Sequence, residues 1–308
     1  MKRLFFHFFF LVSLALYGLV VLSQSGPVLI IDYPAMADHF SAIPKEVEET
    51  SGLIHYMDDI WTHNDSGGLP EIYRISPKTG KITQRVTIAN GKNIDWEDIS
   101  QDESYIYIGD FGNNRGNRRD LKIYKIKKAE ITDAKKVTVN ADVIGFSYFD
   151  QTSFDADNRD HNFDCESLIS YGDSLIIFTR NRNDGRTRMY KLPKTPGKYE
   201  ISPIADFNTD GLVTGADYSD HTGNLVLIGY KERVPFIWLF KGFTGNSLES
   251  PAIYRFNFPR MKGYQTEGIA WLDTQRVAIS SESRKEIEQA AFVVDLKKII
   301  DLAPPARN

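Results

Sequence analysis

The residues with chemical potential in this chain are a spaced set of acids. Each of them precedes a short apolar run and a polar loop. Asn93-Ile94-Asp95-Trp96-Glu97-Asp98-Ile99 leads into Tyr105-Ile106-Tyr107-Ile108-Gly109 and then Asp110-Phe111-Gly112-Asn113-Asn114. Four further stretches repeat that order, with Glu49, Glu166, Asp217 and Glu267 as the leading acids. The polar loops after the second run contribute Asn64, Asp65, Asp110, Asn113, Asn114, Arg180, Asn181 and Glu282. Carboxylates gathered from several segments repel one another unless a cation or hydrogen-bond donors compensate. Acids mixed with Asn suit a hard cation such as Ca²⁺, which takes six to eight oxygens in flexible geometry. The same acids could instead cap backbone N–H groups at turns, a scaffold device that needs no ligand.

What gathers them must be a repeat. Successive leading acids lie 48, 69, 51 and 50 residues apart. A period near fifty with strand signals and no helical face is that of a β-propeller, in which four short antiparallel strands make one blade. The expectation is an all-β chain of five blades, with six as the alternative. The long interval is a blade carrying an insert, supplied by the Asp- and Asn-rich run between Asp150 and Asp164. Alternate strands reverse direction, so the start of each first strand and the end of each second strand meet at one end. All five acids should then ring one channel mouth.

The third strands of the five units share an aromatic, at Tyr73, Tyr124, Tyr190, Trp238 and Phe292. These read as packing between neighbouring sheets. After Leu296 the last unit lacks a fourth strand, and Val28-Leu29-Ile30-Ile31 is the spare run expected to close the ring there.

Met1-Lys2-Arg3, the apolar run from Leu4 to Leu22 and Ser23-Gln24-Ser25 read as an export signal, so residues 1–25 are expected to be a signal peptide or membrane anchor and 26–308 one propeller domain. That predicts a periplasmic, secreted or anchored protein whose only membrane contact is an uncleaved leader. The single cysteine, Cys165, excludes an internal disulfide. A net charge of −4 without a basic stripe argues against nucleic acid as partner, leaving a small polar ligand or an exported protein, with the chain itself a monomer.

Other motifs are weaker. Asp206-Phe207-Asn208-Thr209-Asp210-Gly211 begins like a calcium loop and has an acid, Asp217, at its twelfth position, but no helix flanks it. His63 and His161 fall beside the expected mouth and are the candidate general bases. No zinc-protease, nucleophile-elbow or phosphate-loop pattern occurs.

The runs Asn64-Asp65-Ser66-Gly67, Asp95-Trp96-Glu97-Asp98-Ile99, Gly109-Asp110-Phe111-Gly112-Asn113-Asn114, Asp164-Cys165-Glu166-Ser167-Leu168 and Thr214-Gly215-Ala216-Asp217-Tyr218 resemble an uncharacterised family of exported bacterial propeller proteins. That resemblance covers nearly all of the chain after the leader and implies a propeller and export, but no reaction. More distantly, the acids at Glu49, Glu97, Glu166 and Glu267 look like those of calcium-dependent propeller hydrolases: regucalcin-like lactonases, paraoxonases and calcium-activated apyrases. The metal set expected is Glu49, Glu97, Glu166, Asp217, Glu267, Asp110 and Asn64, with Asp65, Asn113, Asn114, Arg180, Asn181 and Glu282 around a ligand. One functional expectation is an exported binding or scaffold protein holding Ca²⁺ and a polar ligand. The other is a calcium-dependent hydrolase of a lactone, phosphoester or sugar ester, with His63 or His161 relaying a proton. A third is a structural protein with no ion.

Overall fold

A computed structural model describes residues 26–157 and 159–302; the expected leader, residues 1–25, lies outside them. The fold is a five-bladed β-propeller with, among the described residues, one short α-helix, Leu296–Leu302, after the last strand. Blade 1 is Thr50–Tyr56, Asp59–Asn64, Glu71–Ser76 and Lys81–Ile88, and blade 2 is Trp96–Gln101, Tyr105–Asp110, Lys122–Lys127 and Asp142–Tyr148. Blade 3 is Cys165–Tyr171, Ser174–Thr179, Thr187–Pro193 and Pro203–Phe207, and blade 4 is Leu212–Ser219, Asn224–Lys231, Val234–Lys241 and Ala252–Asn257. Blade 5 has three strands from the C-terminal end of the chain, Gln265–Trp271, Arg276–Glu282 and Ala290–Asp295.

Tight turns make these sheets. Met57 and Asp58 both take positive φ, 56° and 61°, which is the pair of left-handed residues that a two-residue hairpin requires. Outer strands alternate, as in Lys81–Ile88, where buried and more exposed positions follow one another over the second half. Inner strands are buried on both faces.

Five separate apolar cores lie between neighbouring blades, which is the signature of a closed ring. Ile54 and Trp61 meet Trp96 and Ile108 between blades 1 and 2, and Tyr107 and Ile123 meet Leu168 and Tyr190 between blades 2 and 3. Phe178 meets Phe236 and Phe240 between blades 3 and 4, and Ile237 meets Ile279 and Phe292 between blades 4 and 5. The seam between blades 5 and 1 is thinner, with Ala270, Ala278 and Ala291 opposite Leu53, Ile60 and Tyr73. The five third-strand aromatics are all buried in these layers.

The ring closes differently from the sequence expectation. Val28–Asp32 does not complete blade 5; it adds in parallel to the outer strand of blade 4, with Ile30 opposite Arg255. The closing strand is Asp38–Ala42, antiparallel to Ala290–Asp295. The reason is chain geometry: Asp38–Ala42 lies just before Thr50, where blade 1 begins beside blade 5, whereas Val28 and Ile30 stay 48% and 61% exposed on the edge of blade 4. Two more parallel edge strands staple neighbours together, Lys136–Val139 onto blade 1 and Gly197–Ile201 onto blade 2. Each is lent by the following blade, which ties successive sheets.

The innermost strands touch around the axis. Each carries a β-bulge near its start, at Glu97, Glu166, Thr214 and Glu267 and between Ser51 and Ile54. A bulge re-aims the side chain of the extra residue. The next residue is glycine in three blades, because a Cβ on Gly52 would stand 2.7 Å from the Ile99 nitrogen and one on Gly215 2.5 Å from the Glu267 carbonyl.

Candidate functional site

The bulges define the repeat position that the leading acids were meant to mark, and they correct it in two blades. The equivalent residues are Ser51, Glu97, Glu166, Thr214 and Glu267. Ser51 and Thr214 turn their hydroxyls to the neighbouring inner strand, donating to the Glu97 carbonyl at 2.6 Å and the Thr266 carbonyl at 2.7 Å. Glu49 lies just ahead of the first inner strand and is exposed. Asp217 lies three residues past the bulge, where its carboxylate accepts the Trp271 N–H at 2.7 Å and the Tyr218 N–H at 2.9 Å. It is a backbone clamp between blades 4 and 5. Burial pushes it up to about 7.

Two triads of carboxylates form at the mouth, sharing one member. Single oxygens of Asp65, Asp95 and Glu97 all lie within 4.8 Å of one another, as do those of Glu97, Asp164 and Glu166. Asp65 follows the second strand of blade 1. Asp95 and Asp164 each stand two residues before a bulged Glu, on the entry to blades 2 and 3. Gly112 lets the next loop come close: a Cβ there would fall 2.0 Å from Glu97 Oε1 and 2.5 Å from Asp95 Oδ2. The carboxylates occupy the space a side chain would need.

The triads differ in their counter-charges. Arg180 Nη2 stands 2.5 Å from Glu166 Oε1 and 3.1 Å from Asp164 Oδ2, and Arg182 lies 3.0 Å from the same Asp164 oxygen. Asn114 Oδ1 accepts from both guanidinium groups and holds them in place. Asp164 also accepts the Asn113 N–H at 2.8 Å. Among the described residues, the carboxylates of Asp65, Asp95 and Glu97 form no ion pair, and Asp65 Oδ1 is buried without a hydrogen bond, while Glu97 is only 4% exposed.

The electrostatics follow. Burial, then the neighbouring Asp95 and Glu267, push Asp65 up to about 7. Burial and then Asp164 bring Asp95 to about 6. Burial, then Glu166 and Asp65, carry Glu97 well above the carboxylate range. Asp164 goes the other way: burial would raise it, but Arg180, Arg182 and the Asn113 N–H together hold it below its ordinary value. Further round the rim, burial takes Glu267 to about 7 and, with repulsion from Glu267 and Asp65, Glu282 to about 8.

Other expected site residues are held by scaffold contacts. Asp110 accepts from Arg118 at 3.0 Å and Lys122 at 3.3 Å, and also from the Asp95 N–H. Asn64 bonds backbone groups of Glu46 and Glu49. Asn113 holds Phe163 and Arg118, and Asn181 accepts from the Thr179 hydroxyl. His63 is fully buried with its ring edge against Trp96, and burial lowers it to about 4. His161 belongs to the insert, where its Nδ1 takes the Phe163 N–H at 3.2 Å and its ring covers Gly116. Neither histidine is in a triad. The calcium-loop pattern does not wrap either, because Asp206 and Asp217 sit on separate strands and pair with Arg186 and backbone N–H groups.

Asp95, Asp164 and Arg182 were missed by sequence reasoning as site residues. The signal was present: Asp95-Trp96-Glu97 and Asp164-Cys165-Glu166 repeat the same acid pair at the same blade position.

No protein-family model matches the sequence, and no curated protein matches it. Among solved structures the chain is similar to the major Malassezia sympodialis allergen Mala s 1, with 11% identity over 85% of this chain and 96% of that one and a TM-score of 0.50. It is similar also to a putative TolB from Agrobacterium tumefaciens, with 11% identity, 81% and 78% coverage and a TM-score of 0.41. A glucose dehydrogenase gives 8% identity, 84% and 99% coverage and a TM-score of 0.47. At such identities the likeness is one of fold. The chain is a β-propeller.

Proposed function

We propose that this propeller binds one divalent cation, calcium by its donor chemistry, between Asp65, Asp95 and Glu97, and presents it to a polar ligand at the channel mouth. The observation that supports this reading is the bare triad. Three carboxylate oxygens gather within 4.8 Å, and among the described residues no basic side chain forms an ion pair with them, Arg180 acting only as a nearby charge. Like charges at that separation raise one another's proton affinity, and a divalent cation removes the penalty. The donor set is all oxygen, which favours calcium or magnesium over softer metals. Calcium suits it better, because three carboxylates drawn from a loop, a strand entry and a bulge form a flexible site that magnesium's strict octahedron does not favour. Three protein ligands leave coordination positions for the ligand.

A binding role is proposed ahead of hydrolysis. A hydrolase needs a proton relay beside the ion, and His63 is buried in the core while His161 lies in the insert against Gly116. The apolar leader supports action outside the cytoplasm, where calcium-binding modules work at roughly 10⁻⁴–10⁻³ M.

The test is thermal and chemical unfolding with calcium or chelator. At a hundredfold excess over Kd, calcium should stabilise the protein by about 2.7 kcal/mol. Glu97→Gln should abolish that response and raise the stability of the chelated protein. Identical unfolding with and without calcium would contradict the reading.

A further inference from the structure

We propose that Arg180 occupies the place of a second cation and so fixes the number of ions at this mouth at one. The inference rests on the cation reading above and adds to it the role of the second triad. Glu97, Asp164 and Glu166 are all buried and offer three oxygens within 4.8 Å, the same arrangement as the first triad. Two independent features set this cluster apart from an ordinary group of acids. Glu97 is 4% exposed and forms no ion pair among the described residues. Neither oxygen of the fully buried Glu166 accepts a hydrogen bond, although Arg180 Nη2 is 2.5 Å from one of them. The guanidinium is therefore close enough to neutralise Glu166 but off the axis a hydrogen bond needs. It is acting there as a charge more than as a fitted donor.

The position of Arg180 has structural causes. It directly follows the second strand of blade 3, and its N–H is bonded to the Asp164 carbonyl at 2.7 Å, so the side chain starts beside the triad. Asp164 Oδ2 receives its Nε at 3.3 Å and Nη2 at 3.1 Å, and Asn114 Oδ1 takes Nη2 at 3.1 Å. A guanidinium keeps its charge at any pH of interest. It cannot leave by losing a proton, so an ion entering this triad would have to meet a fixed positive charge. No basic side chain among the described residues forms an ion pair with the first triad; Arg180 reaches it only as a more distant charge, whose effect on Asp65, Asp95 and Glu97 is smaller than that of burial. Glu97, shared by both, is thereby left to the ion on the Asp65 and Asp95 side.

Replacing Arg180 by methionine keeps much of the length and removes the charge. The second triad then holds three carboxylates with only Arg182, on Asp164, to offset them. It should take up a calcium ion of its own.

The experiment is calcium titration of the full chain by calorimetry, with equilibrium dialysis giving the ion count. One ion is expected for the wild type and for Arg180→Lys, and two for Arg180→Met. One ion in a folded Arg180→Met would overturn the proposal. No ion in the wild type would instead contradict the underlying cation reading, which separates the two failures. If Arg180→Met does not fold, Glu166→Gln decides: with Arg180 filling the second triad, this change should leave one ion with affinity within about threefold. Loss of calcium binding in a folded Glu166→Gln would place the resident ion in the second triad and refute the role given to Arg180.

Discussion

Glu267 makes the electrostatics of the mouth measurable. It is 6% exposed at the bulge of blade 5, and burial raises it from 4.5 to about 7 against the opposing pull of Arg180. An acid raised in the folded state binds its proton more tightly there than in the unfolded chain. Stability is therefore greatest below the unfolded value, falls as pH rises from about 4.5 to about 7, and is flat beyond. A rise of that size corresponds to about 3 kcal/mol. Glu267→Gln removes the titration and mimics the protonated acid. Urea unfolding with chelator present should show wild type and variant alike near pH 4.5. By pH 8 the variant should be more stable by about 3 kcal/mol. The gap should narrow with calcium, because an ion at the mouth offsets the charge that glutamine removes. Parallel stability curves for the two proteins across this range would refute the reasoning.

Two other outcomes follow from the geometry. Gly112→Ala puts a methyl where Glu97 and Asp95 lie, so calcium affinity should fall by about tenfold or more while far-ultraviolet circular dichroism stays native. A chain begun at Lys45 lacks the strand that pairs with Ala290–Asp295 and should lose cooperative unfolding, whereas one begun at Tyr33 loses only the edge strand of blade 4 and should keep it.

The fivefold plan was legible because strand, turn and acid recur at a nearly fixed spacing, and because each third strand carries an aromatic. Ring closure was not. Val28-Leu29-Ile30-Ile31 looks like the better strand, but Asp38–Ala42 has the position to reach blade 5, and chain geometry outweighed apolar content. At the mouth, Glu97, Glu166 and Glu267 were read at their true repeat position. Ser51 and Thr214 carry hydroxyls where the other blades carry glutamate, and the nearby acids, Glu49 and Asp217, stand two and three residues from the repeat position. Asp95 and Asp164 were hidden in a different way. They precede the inner strands, and the glutamates they meet are the extra residues of the bulges, whose side chains a bulge re-aims. That irregularity leaves no mark in an alternating pattern.

A diffraction experiment on crystals grown with terbium, a calcium substitute with strong anomalous scattering, would locate an ion at the channel mouth. One peak per chain is expected, with oxygens of Asp65, Asp95 and Glu97 at roughly 2.3–2.6 Å from it. No peak at the channel mouth, or one bonded to neither Asp95 nor Glu97, would contradict the cation reading.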